Sequence, residues 1–575
     1  MMKKNTNGLR PEFNLFHLAI FGIFMVSLAI RIYGSLSVNI TNPEAEILLS
    51  VSKIKTYGSA TFFYSLMIRI VQFLGFNGDL GLRIINVVMG SLITILPAMF
   101  YREIGKHTAI ISSLLLSFDP FGIANSVAFS GNIMTVFFLG LLIEAILHNR
   151  DHLIYLIILL LIGHGRGLGY FILITLILFA FLFFINRNII FINVRLMKEK
   201  IFKNKKNMVA GSGIILILVL AIIYRVPFSN IATDISDFIS GWGNNYQTGN
   251  FPIVYPFAIF SYIPLALVFA SFFLLSSTNK IYRFNGLSAL WLAFSVAIIA
   301  FYPRHLILDL VWVSIPLTIF ASISIEKILF ADVNLIKDDW PFLVIFFSTG
   351  INLVLNIISF VYRSIWGLDV TNALLTILVI IIFAVILLLF RAYTSSIQKA
   401  MSALLLMVLV FSVFWQISIT ARTIVMNKTP EKEILWNGYF EGKDIVAEIV
   451  SSSKNSLKGT KGKINVLIDG QLRPAEIWAL NEENLLFQKS NLISNRPEVI
   501  LSDTRETGIN DDNFQGQEYI SDSYPLWTWD PVRSFISTDY WNWFFFRNSL
   551  QYREYNYIWT NITMINDKIN IGAKN

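Results

Sequence analysis

The chain has 575 residues, a mean hydropathy of +0.62 and 14% charged residues, against about 25% in an average soluble domain. That composition, with 49 Phe, excludes a wholly soluble protein and reads as a polytopic membrane protein. The net charge of +8 falls mostly in short loops between apolar runs, so it reads as membrane topology and not as nucleic-acid binding. The sequence contains no cysteine, which excludes disulfides, thiolate chemistry and Cys-based metal sites.

A spanning helix needs about 20 mostly apolar residues. In chain order the candidate spans are Leu15–Tyr33, Leu82–Tyr101, Thr108–Phe129, Ile133–Leu147, Leu153–Gly163, Leu168–Ile185, Met208–Tyr224, Ile253–Leu275, Leu287–Phe301, Leu306–Ile325, Phe342–Val361, Ala373–Phe390 and Met401–Ile419. About thirteen spans are therefore expected over residues 1–419. The first run has no small-residue cleavage site and reads as an uncleaved anchor. Basic residues set the orientation. The loop 186–207 carries Arg187, Arg195, Lys198, Lys200, Lys203, Lys205 and Lys206, which predicts that it and the N-terminus face the cytoplasm. The segment 420–575 then lies outside, in the cell envelope. It is polar, with strand-like Lys463–Asp469 and Glu498–Asp503 and a helix-like Pro474–Phe487, and is predicted to be an extracytoplasmic α/β domain.

The first external loop, 34–81, holds the most pointed feature. "TNPEAEILLSVSKI" (Thr41–Ile54) opens with Asn42-Pro43, a helix-start pair. At about 100° per residue, Ile47, Leu48, Val51 and Ile54 share a face with Glu44, while Glu46 falls opposite and Leu49 lands on the polar side. Glu44 therefore points into protein or the membrane interface, where a carboxylate must be paired, metal-bound or protonated. The structural alternative is that it complements the helix N-terminus.

Other polar residues stand at predicted outer ends of spans. "FYPRHLILDLVW" (Phe301–Trp312) carries Arg304, His305 and, between one and two turns deeper, Asp309. Arg304 suits a phosphate or a lipid headgroup. "GHGRGLGY" (Gly163–Tyr170) places Arg166 in what reads as a tight external turn that is able to meet an anionic group. The loop Ser236–Phe251 carries Trp242 and Tyr246 among several amides, suited to stacking on sugars or to an interfacial aromatic belt. The aromatic stretches "YPLWTWDP" (Tyr524–Pro531) and "DYWNWFFF" (Asp539–Phe546) read as a carbohydrate-facing surface or, preferably, as a face that packs on the membrane portion.

Several stretches together resemble a known family. These are the acid in a first external loop, "GDLGLRIINVVMGSLITILPAMFYREIGKHTAIISSLLLSFDP" (Gly78–Pro120), "YPRHLILDLVWVSIPL", "NFQGQEY" and "DYWNWFFFRNSLQYREYNYIWTN". The chain resembles the GT-C glycosyltransferases, the polyprenyl-phosphate-sugar-dependent membrane enzymes of the protein O-mannosyltransferase and aminoarabinose-transferase type, within a prokaryotic flippase-activity-associated subgroup. The resemblance implies a GT-C-like helical membrane fold and transfer of a sugar from a polyprenyl-phosphate donor to a lipid, glycan or protein acceptor. It implies inversion, with Glu44 as general base, Arg304 and His305 on the lipid phosphate, and Asp309 holding Arg304 in place. Where family members carry a second acid or an Arg, this sequence offers Ser130 and Asn132, and Asp119 stands several residues earlier. Asn132 is left as a sugar contact, and a divalent metal lacks a second acidic ligand. The competing readings are a lipid-sugar transporter or flippase, for which no internal repeat is found, and a non-catalytic partner in a glycan-assembly complex.

Overall fold

The structure, a computed structural model, describes residues 15–38, 40–41, 44–45, 48–49, 62–75, 79–128, 131–148, 150–162, 219, 254–276, 283–301, 307–331, 340–424, 443–457, 462–470, 472–480, 483–487, 497–503, 519–529, 544 and 551–561. The predicted spans Leu168–Ile185 and Met208–Tyr224 lie outside the described residues, apart from Val219. Among the described residues, five helices are long and apolar enough to cross a membrane, or seven if two bent pairs each count as one span. Shorter apolar helices run over Gly81–Ile93, Asn132–Leu147 and Gly286–Ala300. The protein is thus a polytopic α-helical membrane protein.

Two predicted spans are broken, and proline chemistry explains both. The run 108–129 forms Lys106–Ser117 and Pro120–Val127, bent by 54°. Asp119 ends one helix and starts the next, because its carboxylate accepts from the N–H groups of Phe121 and Gly122 at 3.3 and 3.0 Å. Pro120, at the first position, has no N–H to lose there. The run 253–275 turns by 104° between Tyr262 and Pro264, where Pro264 again opens the new helix. A third run, 82–101, ends as a helix at Ile93 and continues through short turns over Leu96–Met99 and Tyr101–Ile104.

The stretch Ile307–Leu329 is the centre of the bundle, 89% buried, whereas Thr371–Thr394 is 6% buried. The central stretch opens as the 3-10 turn Ile307–Leu310 and continues as Val311–Ala331. The first helix, Leu15–Ser37, fixes the two ends of the molecule. Its start lies by the cytoplasm-predicted turn, with Phe16 and Tyr101 rings 5.5 Å apart. Its far end meets Arg83. Midway, Arg31 is buried. It donates to Ser27 Oγ, to Ser126 Oγ at 3.1 Å and to the carbonyls of Leu116 and Ser117 at 3.4 and 3.5 Å. An arginine that hydropathy would place at a helix end is instead held inside the protein.

The C-terminal segment is a five-stranded mixed sheet in the order β2-β1-β3-β5-β4. Its strands are β1 Asn465–Asp469, β2 Asn484–Phe487, β3 Val499–Ser502, β4 Tyr519–Trp529 and β5 Gln551–Asn561. β1 pairs in parallel with β2 and β3, and β5 is antiparallel to β3 and β4. Helices Lys443–Leu457 and Pro474–Ala479 complete the α/β unit. The helix expected over 474–487 stops at Ala479. Its apolar end, Leu485 and Leu486, pairs with Val466 and Leu467 of β1 instead. A parallel pairing of this kind is non-local and overrides local helical phase. Phe544, the one described residue of "DYWNWFFF", stacks on Phe260 and Trp415 of the membrane portion, at 5.9 and 5.2 Å.

Close packing gives a direct test. A Cβ on Gly90 would lie 1.8 Å from Ser126 Oγ and 2.6 Å from its Cβ, while one on Gly22 meets nothing within 4 Å. Gly90→Ala is expected to destabilise by about 1–3 kcal/mol and Gly22→Ala to leave the melting midpoint unchanged, both read by thermal unfolding in detergent.

Candidate functional site

Glu44 sits on a short helical turn just beyond the first helix. Ala45 N–H bonds to the Thr41 carbonyl at 2.9 Å, so the turn begins at Thr41, one residue before the cap expected at Asn42. Asn42, Pro43 and Glu46 lie outside the described residues. Glu44 is 1% exposed, as its phase predicts. Leu49 is buried as well, because this turn is covered on both sides and not on one.

The carboxylate is paired. Arg83 Nε donates to Oε1 at 2.7 Å and Nη2 to Oε2 at 2.8 Å. This is the two-pronged arrangement that the planar guanidinium favours. Thr41 donates to Oε2 through its N–H at 2.7 Å and its hydroxyl at 3.0 Å. Glu44 thus does complement a helix start, and it also forms a buried ion pair. Arg83 Nη1 donates to the carbonyls of Ser35 and Val38 at 2.9 and 2.5 Å. One guanidinium therefore joins the end of the first helix, the Glu44 turn and the helix Asp79–Ile93.

A second polar centre stands close by in the fold. Asn86, one turn after Arg83 on the same helix face, donates to the Ala128 carbonyl at 3.2 Å. The next helix, Gly131–Leu147, opens with Asn132. The Asn132 amide donates to Asp309 Oδ1 at 2.6 Å, and Trp312 Nε1 donates to Asn132 Oδ1 at 3.5 Å. Asn125 donates to the Leu308 carbonyl at 2.7 Å and pins the same 3-10 turn. Asn132, Asp309 and Trp312 are all buried.

The structure thus brings together Glu44 with Arg83, and Asn132 with Asp309. The described partner of Asp309 is the Asn132 amide, and the expected pairing with Arg304 falls on a residue outside the described ones. Arg304, His305, Arg166, Trp242 and Tyr246 lie outside the described residues. Arg83 and the Arg31–Asp119 region went unrecognised as site elements. Asp119-Pro120 is the same cap-and-proline signal as Asn42-Pro43 and marks the break. Asp119 also accepts from the Ser314 hydroxyl at 2.8 Å.

The donor set argues against a metal between Asn132 and Asp309. The amide turns its N–H toward the carboxylate, in the place a cation would take, and its oxygen toward the indole N–H. Flipping the amide would set oxygen against oxygen and N–H against N–H. Among the described residues no group of three or more His, Asp or Glu side chains is arranged to hold a metal ion.

At the opposite end of the bundle lie ionic groups of a different kind. His148 stands 3.5 Å from Glu103 and 3.4 Å from Glu144, and Arg150 is 3.3 Å from Glu144. His107 is 3.8 Å from Glu326, which also accepts from the Thr108 hydroxyl.

No family model matches the chain, and no curated protein matches it. Among solved structures it is similar to ArnT from Cupriavidus metallidurans in the apo state. That match has a TM-score of 0.49 and 11% identity, over 96% of this chain and 98% of that one. It is also similar to ArnT from the same organism bound to undecaprenyl phosphate, with a TM-score of 0.45 and 12% identity over 82% and 85% of the two chains. At these values the likeness is one of general chain path and carries nothing about substrate or chemistry.

Breaking the buried pair from one side leaves an uncompensated charge, which costs about 3–5 kcal/mol. Arg83→Met is therefore expected to destabilise strongly. Glu44→Gln placed on top of it is expected to recover a large part of that loss, so a double-mutant cycle by thermal melting gives a coupling energy above about 1 kcal/mol. Additive losses would show that the pair is not coupled.

Proposed function

We propose that the protein is a membrane glycosyltransferase. It moves a sugar from a polyprenyl-phosphate donor to a lipid, glycan or protein acceptor at the outer face of the plasma membrane, with inversion. The observation that carries this reading is a buried carboxylate, Glu44, fixed by Arg83 on the first segment beyond the first helix. It stands at the end of the bundle away from the basic turn around Arg102 and Lys106. The stretches that resemble the GT-C enzymes point to the same residue as the base.

The proposed chemistry starts from Glu44 and its partners. Thr41 Oγ1–H already donates to Glu44 Oε2, and in the proposed reaction an acceptor hydroxyl takes over that hydrogen bond. Glu44 accepts the hydroxyl proton as the oxygen attacks the anomeric carbon. The bond from that carbon to the phosphate oxygen breaks, and the lipid phosphate leaves with the electron pair. Arg304, with His305, meets the leaving phosphate by charge-assisted hydrogen bonds. Asn132 contacts a sugar hydroxyl, Asp309 holds Arg304 in place, and Trp242, Tyr246 and Arg166 line the approach. Arg83 keeps the Glu44 carboxylate oriented throughout.

One observation favours the non-catalytic alternative. Two Arg83 and two Thr41 hydrogen bonds give Glu44 a complete structural role without any reaction. A transfer assay separates the two. Purified protein supplied with radiolabelled polyprenyl-phosphate hexoses is expected to release sugar from the lipid. Glu44→Gln is expected to lower turnover by about 10²–10⁴-fold with donor binding retained, whereas Arg304→Lys loses donor binding because a point charge does not replace the planar fork. Parental transfer by the Gln variant would make Glu44 a structural residue only.

The orientation is tested separately. The basic loop 186–207 implies a cytoplasmic N-terminus and an external α/β domain. A reporter fused after Ile424 is expected to be active only outside the cytoplasm, and cytoplasmic activity would reverse the assignment.

A further inference from the structure

The outer helices of the bundle obey two different rules. Thr371–Thr394 is 6% buried with a mean hydropathy of 3.5, and its middle is unbroken aliphatic and aromatic surface. That is what a helix bathed in lipid tails requires. Its neighbour Trp340–Ile365 is also largely exposed, at 17% buried, but it carries a polar stripe. Ser348, Asn352, Asn356 and Ser359 fall within about 80° of one another at 100° per residue. Ser348 and Asn352 are exposed, and Asn356 and Ser359 are half-buried.

The exposed half of this stripe, Ser348 and Asn352, faces away from the described core. The opposite side of the helix faces that core, through Leu343 and Phe346, both buried, and buried Thr349 marks the edge between the two faces. On the core side a Cβ on Gly350 would come within 2.7 Å of Met407 and 2.8 Å of Phe411. Within the helix the Asn352 amide donates to the Ser348 carbonyl at 3.1 Å and the Asn356 amide to the Asn352 carbonyl at 2.9 Å. Each carboxamide has a second N–H and an acceptor oxygen beyond that bond. Hydrocarbon offers no partner for them.

We propose that this stripe is a self-association face, where two copies of the chain pack helix Trp340–Ile365 against its counterpart about a two-fold axis normal to the membrane. A carboxamide is both donor and acceptor, so Asn352 and Asn356 are each complementary to themselves across such an axis. Serine at the flanking positions lets the backbones approach closely. The stripe holds no charged side chain that would demand an opposite charge on a different partner. Arg363, a turn beyond Ser359, is engaged at the helix end by the Asp369 carbonyl at 3.3 Å.

The absence of cysteine makes the test clean. Full-length Ser348→Cys, which keeps both asparagines, is oxidised in proteoliposomes at high lipid-to-protein ratio. A covalent dimer is expected, and Ile386→Cys on the lipid-facing neighbour is expected to stay monomeric. Adding Asn352→Leu and Asn356→Leu to the Ser348→Cys chain is expected to lower the cross-linked fraction by about tenfold. Subunit counting by photobleaching of labelled wild-type chain gives an independent readout, with two steps expected. Single-step bleaching, or cross-linking that persists undiminished in the Leu variant, would overturn the proposal.

Discussion

The Arg83–Glu44 fork is the constraint on which this end of the bundle depends. A carboxylate and a guanidinium are both almost fully withdrawn from water, and neither is tolerable alone. Arg83 spends at least four donor contacts, two on Glu44 and two on the carbonyls of Ser35 and Val38. Those carbonyls belong to the end of the first helix and the residue after it, where carbonyl groups lack intrahelical partners. The same side chain therefore finishes one helix, anchors the next segment and docks a third. The Glu44 position is as precise as three backbone elements can make it.

A second device keeps the bundle's interior polar groups satisfied where a helix breaks. The bend at Asp119 frees carbonyls from the preceding helix, and each is met from another direction. Arg31 takes those of Leu116 and Ser117. Gln416 and Thr420 of the last long helix take that of Phe118, at 3.2 and 2.7 Å. Without water in the hydrocarbon, a break survives only on such terms. The break redirects the chain so that Ala128 meets Asn86 and the following helix starts at Asn132. The Asn132–Asp309 pair is thus placed by a proline and its cap at a helix break.

Much of this was legible in the sequence, and the losses have a common cause. Composition gave the membrane class, and helical phase put Glu44 inside. Phase failed at Leu49 because it assumes one buried face. Hydropathy found the apolar runs but not the bends within them, since Tyr262, Ile263 and Pro264 are as apolar as their neighbours. Asp119-Pro120 carried a readable cap signal whose meaning lay in the fold. Partners were the hardest to read. Glu44 and Arg83 are 39 residues apart, and Asn132 and Asp309 are 177 apart, so no local period connects them. β2 was lost for the same reason, its pairing with β1 being parallel and remote.

The two buried acids, Glu44 and Asp309, are held in different ways, and the difference bears on how such a site divides its work. Glu44 is matched by a full positive charge, which fixes the carboxylate and removes the need for any other counter-ion. The described partner of Asp309 Oδ1 is an amide, whose own oxygen is steered by an indole N–H. An amide orients a carboxylate without cancelling its charge. In the sequence, Arg304 and His305 stand just before the 3-10 turn that carries Asp309, and the proposed phosphate site rests on that order. An asparagine at position 132 is then not a lost acid. A second carboxylate there would stand against Asp309 like charge to like charge, whereas the Asn132 amide meets it with a donor.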